Sequence, residues 1–192
     1  VDGTDISGSA VAVNDKELVD KLRNREPAAV VELCNAYFDR IYRLVFSQVD
    51  GDRDVAQDIA QETFLAAFKS AHRFRGQSKV YTWLYSIANR KVADFYRWRK
   101  REGKHRADPL ENQVSEAETD GTVESEETSK SIQQALSCLP LHYKQVLLLK
   151  YVEEMPVAEI CQVMDRSSKS VEGLLTRARR ELRSELTAQK PK

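Results

Sequence analysis

Apolar side chains recur every three or four positions along nearly the whole chain, and strict alternation is missing, so the pattern predicts helices and no strands. Asn14 followed by Glu17 has the form of a capping box, opening a short helix with Leu18, Val19 and Leu22 inward. Pro27 then starts a longer helix, at a position where proline lacks only an N–H that would be unpaired anyway. Its apolar stripe is Val30, Leu33, Cys34, Tyr37, Ile41, Leu44 and Val45. Asp50-Gly51-Asp52 reads as a turn before a third helix, from about Arg53 to Ala71. Gly76 breaks the chain between His72 and Gln77, and a fourth helix is expected from Ser78 to Arg101. The same periodicity predicts helices over Ser129–Cys138, Leu141–Glu153, Pro156–Met164 and Ser168–Leu186.

Residues 102–127 interrupt this pattern. Beyond Leu110, Val114 and Val123 they hold almost no large apolar side chain, and acids, Ser and Thr dominate. Such a segment buries too little surface to offset the entropy of ordering it. The expected fold is therefore all-α: two small helical domains, residues 14–101 and 128–187, joined by a flexible acidic linker. Residues 1–13 and 188–192 read as tails.

Charge changes the picture only when its distribution is considered. The 192 residues hold 30 Lys plus Arg and 30 Asp plus Glu, and a net charge of zero argues by itself against a nucleic-acid partner. The signs are segregated, however. Arg90, Lys91, Arg97, Arg99, Lys100 and Arg101 face only Asp94 in their stretch, whereas Asp108 to Glu127 contains acids and no cation. No apolar run approaches the roughly 18 residues a membrane span needs. The first residues lack a basic start and a continuous apolar core, so no secretory signal is expected and the chain reads as cytoplasmic. Cys34, Cys138 and Cys161 are odd in number and far apart, which predicts reduced thiols without a disulfide or metal site.

Three surfaces stand out chemically. On the third helix Asp54, Asp58, Gln61, Glu62 and Leu65 share a stripe about 100° wide between two apolar faces. An acidic stripe flanking an exposed Leu suits a basic partner helix; a merely solvated face is the plainer alternative. Next comes Phe74-Arg75-Gly76, followed by Tyr81-Thr82-Trp83-Leu84-Tyr85 and the cations from Arg90 onward. Rings that stack on bases, interleaved with cations that neutralise phosphates, suit a single strand. Tyr81, Trp83 and Tyr85 spread round a helix, so Trp83 and Leu84 are expected in the core, leaving Phe74 as the better base contact.

The third surface is a helix-turn-helix from Pro156 to Leu182. Val157, Ile160, Cys161 and Met164 form the inner face of its first helix, and Asp165 sits at the turn, where it tolerates a left-handed backbone. Ser167 is the expected N-cap of the second helix, with Val171, Leu174 and Leu175 inward. Ser168, Lys169, Ser170, Glu172, Gly173, Thr176 and Arg177 remain outward, where such a helix meets base edges. Glu172 can accept from a cytosine amino group, and Lys169 can reach guanine or phosphate. Arg179, Arg180 and Arg183 either touch phosphates or solvate the helix end.

The run Asp58-Ile59-Ala60-Gln61-Glu62-Thr63-Phe64, then Phe74-Arg75-Gly76 and Tyr81 to Asn89, resembles region 2 of a bacterial sigma factor of the small extracytoplasmic-function (ECF) group. Leu139-Pro140, Val146 to Leu149, Ala158-Glu159-Ile160 and Ser170-Val171-Glu172 to Arg179 resemble region 4 of the same group. The two motifs, in this order around an acidic linker, cover about residues 15 to 186. The resemblance implies that Asp58, Gln61, Glu62 and Phe64, together with the Leu65 of the stripe, grip RNA polymerase core, built on its β and β′ subunits. It also implies that the loop Phe74–Tyr81 and the next helix hold the non-template strand of the minus-ten element, with a base flipped from the stack. Phe74, Arg75, Tyr81, Asn89, Arg90 and Arg97 are the candidates there. The outward residues of the helix-turn-helix would read the minus-thirty-five element. An Asn common in the family two residues after the Ile-Ala pair is Arg90 here, with Asn89 displaced by one, about 100° round the helix. An anti-sigma factor, which would hold the chain at the inner membrane, is a further implied partner.

Two other readings compete. A self-sufficient helix-turn-helix regulator leaves the Asp58–Phe64 stripe and the Phe74–Tyr85 aromatics without a role. An enzyme acting on nucleic acid would need a phosphate-binding Gly loop, a metal cluster or a triad, and His72, His105 and His142 are scattered with no nucleophile beside them. No cofactor is expected.

Overall fold

The computed structural model describes residues 15–24, 26–74, 76–103 and 123–189. The capping residue read at Asn14, the two tails, Arg75 and most of the acidic linker lie outside the described residues. Within them the regular structure is entirely helical, as the periodicity predicts.

The N-terminal module comprises α1 (Asp15–Arg23), α2 (Pro27–Gln48), α3 (Arg53–Ser70) and α4 (Val80–Gly103). Pro27 occupies the first turn of α2. Asp50 and Gly51 follow with left-handed backbones, φ 59° and 81°. Asp52 then caps α3 by accepting from the Val55 amide at 3.1 Å. A short 3-10 turn, Ala71–Arg73, follows α3. Ala56, Ala60 and Ala67 are fully buried, and these small side chains let α3 lie close against α2 and α4. Leu18, Leu22, Leu33, Ile41, Val45, Leu84 and Val92 fill the core between them.

The C-terminal module comprises α5 (Val123–Cys138), α6 (Leu141–Leu147), α7 (Val157–Met164) and α8 (Ser168–Ala188). Two boundaries differ from expectation. Helix α5 begins at Val123, inside the stretch read as linker. The helix expected over Leu141–Glu153 is regular only to Leu147. It continues as a wider π-helical turn, Leu148–Val152, in which the Glu153 amide bonds back to the Leu148 carbonyl at 3.0 Å. That extra residue leaves Tyr151 and Val152 exposed while Leu148, Leu149 and Met155 stay in the core.

The two modules pack together, α7 against α4 and α6 against α2.

Candidate nucleic-acid interface

On α3, Asp58, Gln61, Glu62 and Leu65 lie together on the open face, and Leu65 is 59% exposed. Glu62 reaches sideways to Lys91 of α4 at 2.8 Å. Phe64 does not share this face. It is buried, 5.7 Å from the ring of Phe38, and supports the stripe from beneath. The stripe can bury an apolar anchor within a ring of acceptors, suited to a cationic helical partner.

The aromatic loop is more enclosed than its composition suggests. Phe74 is 8% exposed, its ring stacked 4.7 Å from that of Trp83. Its carbonyl accepts from the guanidinium of Arg23, with Nε at 3.0 Å. The loop is therefore pinned to α1 rather than free. Gly76 follows with φ 71°, a conformation that side chains rarely adopt. Trp83 is half-buried and Leu84 fully buried, as expected. Tyr81 lies beneath the Arg40 guanidinium, 4.3 Å from its ring centre, and meets Tyr85 edge-on.

Asn89 faces inward. It is 6% exposed, its Oδ1 accepts from Gln48 Nε2 at 2.9 Å, and its Nδ2 has no partner. The register that displaces it from the family position also turns it off the open face, so it is no ready base contact in this conformation. Arg90 is exposed, folded back on the Ser86 carbonyl at 3.0 Å, and Arg97 is exposed and paired with Asp94. Arg90 and Arg97 thus lie two turns apart on the open side of α4, whereas Phe74, Tyr81 and Asn89 are partly or wholly covered.

The helix-turn-helix matches its sequence reading closely. Asp165 ends α7 at φ 52°, ψ 54°, in the left-handed region. Ser167 caps α8, its hydroxyl accepting from the Ser170 amide at 3.3 Å. Val171, Leu174 and Leu175 are buried, and Ser168, Lys169, Glu172, Thr176 and Arg177 are exposed, with Ser170 and Gly173 half-buried. A Cβ at Gly173 would meet nothing within 4 Å, so the residue leaves the helix backbone open to whatever lies in front of it. Ser168 Oγ donates to Glu172 Oε1 at 3.1 Å, holding that carboxylate beside the cap. Burial, reinforced by Arg166 and Arg177, keeps the His142 imidazole below its ordinary pKa.

A fourth surface was missed in the sequence. Glu153 accepts from Arg40 Nε at 2.9 Å and from the Tyr85 hydroxyl, and Lys144 pairs with Asp50. Gln145 Nε2 donates to Gln48 Oε1 at 3.1 Å and approaches the Asn89 carbonyl at 3.4 Å. Glu159 meets Lys79 at 2.7 Å and the Thr82 hydroxyl at 3.0 Å. Burial raises the Glu159 pKa, but those two donors outweigh it and hold the group below its ordinary value. The only signal in the sequence was Lys144-Gln145, two polar residues opening the apolar run Val146 to Leu149.

Among the described residues no group of acids, His and Cys is arranged to hold a metal ion, and no helix is long and apolar enough to cross a membrane. Cys34 and Cys161 are half-buried, and burial pushes the Cys34 thiol pKa up, which disfavours the reactive thiolate.

Comparison with known proteins bears on both modules. Residues 33–102 match the family described as Sigma-70 region 2, and residues 129–182 match Sigma-70, region 4. The chain is 30% identical over 180 residues to the ECF RNA polymerase sigma factor SigW of Bacillus subtilis, covering 89% of this chain and 96% of that one. It is 28% identical to SigM, another ECF sigma factor of the same organism, over 80% of this chain and 92% of the relative. Among solved structures, CnrH in complex with the cytosolic domain of CnrY is similar at 22% identity and a TM-score of 0.67, over 92% of this chain and 99% of that one. The sigma factor RpoE of Bartonella quintana, solved with the anti-sigma factor NepR, is similar at 17% identity and a TM-score of 0.69, over 83% and 97%. At those identities the likeness is one of fold.

Proposed function

The chain belongs to the ECF group of the bacterial sigma-70 factors, and from that premise we propose which of its surfaces carries each step of initiation. It binds RNA polymerase core and directs promoter recognition and melting. The observation that carries this conclusion is the presence of both family regions, in order, on one chain whose helix-turn-helix presents an intact reading face.

The division of labour is our own assignment. Residues 14–101 grip polymerase and the minus-ten element; the C-terminal module, taken from Val123 to about residue 187, reads the minus-thirty-five element. Asp58, Gln61, Glu62 and Leu65 form the polymerase contact, with Phe64 as its support. Covering Leu65 contributes about 1.5–3 kcal/mol, and the acids around it fix the partner's register and sign. Phe74 and Trp83 form an aromatic wall against which an extruded base stacks, while Arg90, Arg97 and the unseen Arg75 neutralise the strand. Tyr81 and Asn89 complete that surface once they are uncovered.

In the second module the Ser167 cap sets the entry of α8 into the major groove. Lys169, Glu172 and Arg177 reach base edges and phosphate, Ser168, Ser170 and Thr176 add hydrogen bonds, and Gly173 leaves room for close approach. The reading face carries few cations and one acid, so this module alone binds weakly and loses affinity in salt. That suits a reader delivered to DNA by a larger enzyme.

We assign the chain no catalysis of its own; phosphodiester chemistry belongs to polymerase. It works in the cytoplasm beside that enzyme. Relatives of the same fold have been solved with anti-sigma factors or a cytosolic partner domain, and we assign this chain a partner of that kind.

The test is transcription of a promoter library by core enzyme with and without the chain. Added chain should confer start-site selectivity; unchanged, random initiation would refute the assignment. Gln61→Ala combined with Glu62→Lys should lower core affinity about tenfold or more, by removing one acceptor and reversing one charge. Undiminished co-purification with core would remove the α3 stripe from the contact.

A further inference from the structure

The reading face of α8 carries an acid, Glu172, and its carboxylate is not left loose. Ser168, the first residue of the helix, donates from Oγ to Glu172 Oε1 one turn on, at 3.1 Å. That partner is a neutral hydroxyl and not a cation, so the negative charge stays whole on the exposed face. The bond uses one carboxylate oxygen and leaves the other as an acceptor. The neighbouring hydroxyls do not compete for it. Thr176 turns back to the Glu172 carbonyl at 3.0 Å, and Ser167 accepts from the Ser170 amide at 3.3 Å.

A carboxylate is an unfavourable choice for a surface that meets DNA, because it repels every phosphate it passes. It gains only opposite a donor. In the major groove guanine presents O6 and N7 and thymine presents O4, all acceptors, and amino groups belong to cytosine and adenine alone. Adenine sets its N7 acceptor beside the amino group, an arrangement that suits the mixed donor and acceptor of an Asn or Gln amide. Cytosine offers the amino group with no acceptor next to it. A side chain that can only accept therefore selects cytosine, as much by repelling the other edges as by its own bond. Gly173 adjoins it with open space in front of the helix backbone, so the helix can sit close to the base edges. A free Glu side chain turns about several bonds, and fixing it on binding costs entropy. The Ser168 bond removes part of that freedom in advance.

We propose that Ser168 and Glu172 form a preset cytosine reader: Glu172 accepts from the amino group of one cytosine in the upstream promoter element, and Ser168 is the positioning residue that holds the carboxylate for that contact. Both roles rest on the assignment of α8 to the minus-thirty-five element.

The test is transcription by core polymerase carrying the full chain, on promoters randomised across the upstream element and each marked by a transcribed barcode. The unmodified chain should favour cytosine about fivefold at one position, the size expected for a single base contact. Glu172→Ala should erase that preference, and Glu172→Gln should transfer it to adenine, whose amino group and N7 match an amide. A cytosine methylated on its amino group keeps its base pair but covers the groove side, and at that position it should behave as a mismatch. Ser168→Ala should reduce the preference to about twofold without lowering output from the library as a whole, because only the orientation of Glu172 is lost. Ser168→Thr, which keeps the hydroxyl, should restore it. A preference indifferent to Glu172→Ala overturns the reader. A Glu172-dependent preference for adenine in the unmodified chain overturns the choice of cytosine. Equal loss at every promoter in Ser168→Ala, unrepaired by Thr, overturns the positioning role and leaves Ser168 a structural residue. An unmodified chain that confers no upstream selectivity would instead strike the assignment of α8 itself, and the cytosine reader with it.

Discussion

The face of α8 proposed to read duplex and the face of α4 proposed to hold the open strand differ in how complete they are before DNA arrives. On α8 the cap, the left-handed turn and the outward side chains are already in place and open. On α4 the corresponding groups are stacked, hydrogen-bonded or covered: Phe74 on Trp83, Tyr81 under Arg40, Asn89 against Gln48. The contrast follows from the substrates. Duplex exists before initiation, so its reader can be rigid from the outset. Unpaired bases exist only after melting, and aromatic surface left open until then would attract any single strand.

The largest expected effect tests the closed side of this comparison. Phe74→Ala removes a buried ring and should cost about 3–5 kcal/mol of N-terminal module stability. It should impair strand opening by the holoenzyme more than closed-complex binding, as permanganate reactivity and filter binding would separate. Equal losses at both steps would mean that Phe74 serves folding alone. Lys169→Ala and Arg177→Ala test the open side. Each should cost about 1–3 kcal/mol of promoter affinity if it contacts a base, with melting of the bound promoter unaffected. Normal promoter affinity in both would take the reading face elsewhere on α8.

Ser167→Ala sharpens the claim that the duplex reader is preformed. Loss of the cap should lower C-terminal module stability by about 1 kcal/mol and weaken promoter binding in proportion. Weaker binding without any change in thermal unfolding would make Ser167 a DNA contact instead of a cap. The smallest effect is on pH. Glu159 titrates below its ordinary value of 4.5 when the modules are docked, so it favours docking above that value. Its contribution is lost as pH falls through the lower, docked value. Energy transfer between dyes placed on the two modules should therefore decline in acid, and Glu159→Gln should remove that part of the decline. An acid profile identical in the Gln variant would exclude Glu159 as a contributor.

How far the sequence anticipated these surfaces depended on the range of the forces involved. Asp165 and Ser167 were readable because a turn and a cap are set by their own side chains within a few residues. The α3 stripe was readable from helical period. The burial of Phe64 and Phe74 was not legible, since an aromatic ring serves a core or a ligand equally well and only tertiary neighbours decide. The burial of Asn89 was hidden for a related reason: its register was legible, but the Gln48 and Gln145 that enclose it come from distant helices. The start of α5 was hidden because acids that mark a soluble tether also favour a helix N-terminus. The π-turn at Leu148–Val152 left no trace in the apolar pattern, which continues smoothly through it.

That turn has a consequence for how this chain tolerates change. By holding one residue more than an α-helical turn, it sets the angular position of everything after Val152, including Glu153 and, beyond it, the recognition helix. Deleting a single residue there would rotate the downstream segment by about 100°. One deletion would therefore misalign both the clasp between modules and the DNA-reading helix, so this stretch should accept substitutions far more readily than changes in length.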